Sequence, residues 1–464
     1  MSRLSDILST GQTALRIQQL AMQVVGQNTA NIDTEGYSRR RLELGTAPPF
    51  DTIGDWHAGA GVDINYLGRV RDRLIDEQIR RGSGSYGYWS ARDENLEQIE
   101  AIFSELGGSA VSDNLQEFWS AWQDLANDPE GMSARMNLVE KTQTLTSAVR
   151  RVAAGLMDRR NQTDQQIVAT VHEINDLTAS IAGLNTQIVR SELSGAEASD
   201  LRDARDLAID KLSKLMDIQI SENPNGDINV YNGGQALVQL DHNVELYVTS
   251  QGDSSGVRSI ISYGISGRSL QASGGELKAL IDLRDQDIGK VMSDLDTFAV
   301  NLANRINEVH RTGYGLTNTN GHDFFAGDVT GASNFRISTM ITDDPSRIAT
   351  AAAADSPGDN SLALQIAGIQ NEKLMQDGRS TLDDFYRDSV LQVGTAKSYA
   401  ASQLKTEQAV MNNLENRRQQ VSGVSLDEEM ARLIQVQQAY EAAAKMINTV
   451  DEMMQTVLSL GGAS

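Results

Sequence analysis

Proline breaks helix interiors, and this chain of 464 residues carries only six: Pro48, Pro49, Pro129, Pro224, Pro345 and Pro357. Everything before Pro48 and after Pro357 is proline-free, so both ends are open to long helices. The apolar spacing uses that freedom. At the N-terminal end Leu4, Gly11, Gln18, Val25 and Ile32 stand seven apart, with Leu8, Leu15, Met22 and Thr29 offset by four. This is the spacing of a helix-packing seam, weakened at Gly11, Gln18 and Thr29. The C-terminal end is cleaner. Leu426, Leu433, Tyr440, Ile447 and Met454 form one series, and Val436, Ala443, Val450 and Val457 the other. Ser425 with Glu428 predicts a capping box at its start, and Gly461-Gly462 a stop at its end. Residues 426–460 would span about 50 Å at ~1.5 Å per residue.

Helices of the same kind fill much of the interior. Ile167, Ile174, Ile181 and Ile188 repeat by seven, as do Ile281, Ile288, Leu295, Leu302 and Val309. Further helices are predicted over 72–105, 111–127, 133–160 and 382–420. Residues 216–272 differ: period-two runs broken by Asn223-Pro-Asn-Gly226 and Tyr231-Asn-Gly-Gly234 read as a β-meander. Two shorter strands are expected at 37–44 and 62–67, and residues 311–358 read mostly as loop.

The balance of 40 Lys plus Arg against 63 Asp plus Glu gives a net charge of -23, which excludes a nucleic-acid partner. No cysteine is present, so thiolate metal sites, disulfides and Cys nucleophiles are excluded together. No signal peptide is legible, and no window is apolar enough for membrane insertion. His57, His172, His242, His310 and His322 make no i+3 or i+4 pair, so no helical metal site is predicted. Gly82-Ser-Gly84-Ser-Tyr-Gly87 fits a dinucleotide motif, but it follows a helical run and reads as a flexible break in that helix. Residues 221–232 faintly resemble a calcium loop, but the carboxylates are missing and a hairpin turn is expected. Arg39-Arg40-Arg41 is expected to pair with neighbouring carboxylates, and the remaining acids read as solvated helix faces. No catalytic, cofactor or metal site is expected. A hydrolase with an unseen site and a cytoplasmic coiled-coil scaffold are the competing classes.

The expected fold is mainly α with a smaller β-rich insertion, in discontinuous nested domains. Residues 1–45 form a coiled-coil arm pairing with 421–464. Residues 46–215 and 274–420 form a long helical bundle in the middle, and 216–273 the β-rich insertion. Two helices alone leave much of each apolar stripe wet, so the arms are expected to be loosely ordered in the monomer and to fold on assembly.

Two stretches carry a family resemblance. Asn28-Thr-Ala-Asn31 through Gly36-Tyr37-Ser-Arg39 resembles the N-terminal signature of bacterial flagellar rod, hook and hook-associated proteins. Val421-Ser422-Gly423-Val-Ser-Leu426-Asp427-Glu428-Glu429-Met430, with Gln437 to Ala444, resembles the C-terminus of the hook-associated protein 1 family, the first hook–filament junction proteins. Asp200-Leu-Arg-Asp-Ala-Arg-Asp206 and Gly321-His-Asp-Phe-Phe325 are similar to that family's interior. The resemblance implies a structural subunit joining hook to filament, with the terminal helices paired into an inner layer. It implies contacts with copies of itself, with the hook protein and with the second junction protein. It implies export without a cleaved signal to an extracellular position, with a dedicated chaperone on the C-terminal helix. Residues 311–358 would be what remains of a reduced outer domain. Other flagellar axial proteins, of hook, rod or second-junction type, are the neighbouring alternatives.

Overall fold

The computed structural model describes residues 2–47, 52–53, 56–57, 61–105, 108–193, 195–253, 256–264 and 266–461. Pro48, Pro49 and the side chains of Leu4 and His57 lie outside the described residues. The chain opens with α1 (Ser2–Ala30), then strands β1 (Arg40–Thr46), β2 (Thr52–Ile53), β3 (Trp56–His57) and β4 (Val62–Arg69). Helices α2 (Arg73–Glu105), α3 (Gly108–Asn127), α4 (Met132–Glu192) and α5 (Ser199–Leu215) follow. The β-block holds β5 (Gln219–Glu222), β6 (Ile228–Asn232), β7 (Gln235–Gln239), β8 (His242–Asn243), β9 (Leu246–Asp253), β10 (Gly256–Tyr263) and β11 (Arg268–Ser269). Then come α6 (Gly275–Asp282), a π-helical turn at Leu283–Ile288, and α7 (Gly289–His310). The chain closes with α8 (Thr339–Asp343), α9 (Ser361–Gly368), α10 (Leu382–Ser422) and α11 (Leu426–Gly461). The expected helices at 133–160 and 167–188 are one helix, α4, of 61 residues. No described helix is long and apolar enough to cross a membrane.

The chain divides into two compact units. One comprises Met1–Gly84, Glu173–Leu246 and Gln408–Ser464; the other comprises Ser85–His172 and Tyr247–Glu407. These limits fall inside α2, α4 and α10, where an unbroken helical pattern gives no boundary signal. They also split the 216–273 block, because it is not one meander. Strands β5-β6-β7-β8 form one antiparallel sheet and β9-β10-β11 another.

In the first unit α1 packs along α11, and β1 pairs antiparallel with β4 in a two-stranded ribbon. The predicted turns fall as hairpins: Asn223–Gly226 joins β5 to β6, and Gly233 and Gly234 join β6 to β7 with φ of 53 and 80, which glycine adopts at little cost. The Gly82 motif does not break α2. A side-chain carbon at Gly82 would come within 2.8 Å of Met411 on α10, and one at Gly84 within 3.3 Å of the Ser213 carbonyl on α5. These glycines let neighbouring helices approach closely.

The second unit has an aromatic core of Phe118, Trp122, Phe298, Phe324, Phe325 and Phe335. Residues 311–358 do not stand apart from it as a reduced outer domain. Phe324, Phe325, Phe335, Ile341 and Ile348 are fully buried there. Asn307 holds the segment by accepting from the Phe324 and Phe325 amides, each at 2.9 Å. His310 accepts from the Ala349 amide at Nε2 (2.9 Å), so its Nδ1 donates to the His322 carbonyl at 2.8 Å. Complete burial lowers its pKa to about 4, so this imidazole is a neutral structural brace.

Candidate assembly site at the root of the terminal helices

Helix α11 packs along α1. Leu433, Val436, Tyr440, Ala443, Ile447 and Met454 are half-buried and Val450 is buried. Leu426 and Val457, at the two ends of the series, are exposed. On α1 the buried and half-buried residues spread over a broader face. Gly11 and Val25 are buried and Gln18 is half-buried; Ala14, Leu15, Ala21, Met22 and Thr29 are half-buried, and Asn28 is buried. Ile17 and Val24 add buried apolar volume. Leu8, Leu15 and Met22 flank the face half-buried, and Ile32 lies exposed in the turn after the helix. Gly11 on α1 lets Ile447 of α11 come close.

At the root of the pair three of the four family-like stretches meet. Asn28, fully buried, donates from Nδ2 to the Arg40 carbonyl (3.0 Å), while its Oδ1 accepts from the Arg40 amide and the Tyr37 hydroxyl, both at 2.9 Å. The amide of Asn28 thus ties the end of α1 to the start of β1. Asn31 caps the same end by donating to the Gln27 carbonyl at 2.9 Å. Gly36, at φ 80, turns the chain against Leu207 of α5. Ser38 binds Asp203 of α5 through both its hydroxyl (2.7 Å) and its amide (3.2 Å).

Arg39 reaches the C-terminal stretch. Its amide donates to the Ser422 carbonyl at 2.8 Å, and its guanidinium to Glu428 at 2.6 Å. The Oε2 of Glu428 is therefore taken across the root, not by a capping box to Ser425. Ser422 is buried, and Gly423 passes so near the Gln419 carbonyl that an added side-chain carbon would lie 2.3 Å from it. Asp427 is exposed; Glu429 is buried, with Arg432 at 4.0 Å. Burial, then the carboxylates Asp203, Asp200 and Glu429 against the pull of Arg40, pushes the Tyr37 hydroxyl up to about 12. The arginine cluster pairs as expected: Arg40 with Asp200, and exposed Arg41 with Glu43 at 3.7 Å.

Beneath this lies a buried ion network that the expectation of solvated acids missed. Asp203, Asp206 and Asp210 recur on one face of α5. Arg69 pairs with Glu197, Asp203 and Asp206 at 2.8–2.9 Å. Arg71 bridges Asp76 and Asp206, Arg80 bridges Asp206 and Asp210, and Arg418 of α10 closes on Asp210 at 2.7 Å. Burial alone would raise the Asp206 carboxyl; Arg71, Arg69 and Arg80 together hold it down to about 2. The same burial wins at Asp203, whose pKa is raised despite Arg69. The 203/206/210 spacing was visible in sequence, but its partners lie more than 100 positions away.

The family model of the flagellar hook-associated protein FlgK helical domain matches residues 96–325. The C-terminal model of flagellar basal body rod FlgEFG proteins matches residues 417–460. The chain is 29% identical over 495 residues to flagellar hook-associated protein 1 of Bacillus subtilis (strain 168), covering 97% of each. It is 24% identical over 551 residues to the Escherichia coli (strain K12) protein of that name, covering 98% of this chain and 100% of the relative. The solved flagellar hook junction protein FlgK from Burkholderia pseudomallei shares the fold, with a TM-score of 0.67 and 16% identity over 74% of this chain and all of the other. The chain belongs to the flagellar hook-associated protein 1 family.

Proposed function

We propose that the root geometry is the working part of the molecule. The chain is a structural protein of the bacterial flagellum, a subunit of the hook–filament junction. The observation that carries the mechanism is the joining of both chain ends at one clamp, Arg39 to Ser422 and Glu428. A clamp there gives the paired terminal helices one fixed base from which to enter a wall of like subunits. The rod-type likeness is confined to 417–460, while the hook-associated match spans 96–325, which supports a junction subunit over a rod or hook subunit.

On this reading the partners are further copies of the chain, the hook protein below and the second junction protein above. The exposed apolar residues of α11, Met430, Ile434 and Met453 among them, suit a dedicated chaperone before assembly. The subunit travels to its extracellular position without a cleaved signal and acts without catalysis or cofactor. The arms are weakly protected in the monomer and firmly ordered in the assembly. The test is to isolate hook–filament structures from cells and probe for the chain. Its presence at the hook tip is the expected result, and a purely cytoplasmic distribution would refute the assignment.

A further inference from the structure

Helix α11 opens with three acids, Asp427, Glu428 and Glu429. A helix N-terminus favours acids, and Asp427 and Glu428 take that benefit while staying exposed to water. Glu429 is turned inward and is 1% exposed. Among the described residues, neither of its carboxylate oxygens accepts a hydrogen bond. Its one ion-pair partner there is Arg432, three positions along the same helix, at 4.0 Å and with a side chain 40% exposed. The arginines of the facing segment are committed elsewhere. Arg39 gives its guanidinium to Glu428 and the Val421 carbonyl, and Arg40 to Gln27 and Asp200. The Nε atoms of both are buried with no acceptor among the described residues. Tyr37, whose hydroxyl the Glu429 charge helps to push up, donates to Asn28.

A carboxylate taken out of water recovers its lost hydration only through hydrogen bonds or a close buried cation. Glu429 has neither. An ion pair with a solvent-exposed arginine recovers little, and the helix dipole offers only a fraction of a charge. The balance is unfavourable. Whenever the first turn of α11 docks at the root, Glu429 opposes what Arg39 and Glu428 favour. A neutral side chain of the same shape removes that opposition. The ion network on α5 does not pass through Glu429: Asp206 and Asp210 hold Arg69, Arg71, Arg80 and Arg418. The unit therefore keeps its buried network when the first turn of α11 lets go.

We propose that Glu429 is a release element: its buried charge keeps the first turn of α11 close to leaving the root, while the rest of the unit stays folded. The proposal rests on the reading of the terminal helices as parts that order on assembly, and it names the residue that sets how readily α11 is freed. Amide exchange over residues 426–432 of the purified full-length chain tests it. Glu429→Gln keeps the shape and removes the charge, and should slow exchange there by roughly tenfold or more, the effect of relieving one buried unpaired group. Glu429→Met, apolar and of similar length, should act in the same direction. Glu428→Gln removes an exposed acid one position away and should not slow exchange. Unchanged or faster exchange in both Glu429 variants, or their failure to fold, would show that the fold tolerates or needs this charge, and would overturn the proposal. Equal slowing in Glu428→Gln would assign the effect to the charge of the whole turn and would overturn it too. The measurement needs no assembly, so its failure leaves the junction assignment standing; absence from hook–filament structures is what removes that.

Discussion

A side-chain carbon placed on Gly11 of α1 would lie 2.8 Å from Cγ1 of Ile447 on α11. The two helices therefore touch through a residue with no side chain facing one with a branched chain. Gly11→Leu should destabilise the pair by about 1–3 kcal/mol through overpacking, despite leucine's better helix propensity. Ile447→Ala in the same chain should restore part of that loss. Ile447→Asp should cost about 3 kcal/mol by desolvating a charge in the seam. Amide exchange along α1 and α11 in the assembled state reads all three, and the aromatic core of the other unit serves as the internal control.

The ion network under the root predicts a larger and more localised effect. Asp206 accepts from Arg69, Arg71 and Arg80. Asp206→Asn leaves three buried guanidinium groups short of charge and should cost about 3–5 kcal/mol. Urea unfolding followed by a probe in the first unit checks this. A loss under 1 kcal/mol would mean that the network carries little.

Asn28→Ala removes both backbone bonds to Arg40 and the acceptor for the Tyr37 hydroxyl. Leaving these groups buried and unpaired should cost about 1–3 kcal/mol. The Tyr37 hydroxyl, held up at about 12, also loses a bond made to its neutral form. Its ultraviolet titration should therefore begin at lower pH in the variant.

His310 links stability to pH in the second unit. Its pKa falls from 6.5 to about 4 on folding, so the unfolded chain binds the proton more readily. The stability it contributes is complete above about pH 6.5 and declines as pH falls toward about 4, by about 3 kcal/mol in all. Unfolding at pH 7 and pH 4.5 should show a smaller loss in His310→Gln than in the parent, provided the variant folds.

What could be read from sequence was whatever local spacing controls. The turns at Gly226 and Gly233-Gly234 and the strands expected at 37–44 and 62–67, found at 40–46 and 62–69, are set by neighbours a few residues away. The α1 face is broader than one spacing shows, because Ile17 and Val24, outside both series, are buried. The Gly82 motif was misread as a break because the reason for glycine sits on α10 and α5. The buried acids of α5 were misread as solvated because their arginines come from residues 69, 71, 80 and 418. In each case the missing information was a contact distant in sequence.

Deletion of residues 426–460 tests most directly whether the paired terminal helices hold this subunit in the flagellum. The truncated protein should be absent from hook–filament preparations and the cells non-motile, while the Phe118–Phe335 core still unfolds cooperatively. A truncated protein that still built a motile filament would contradict the account.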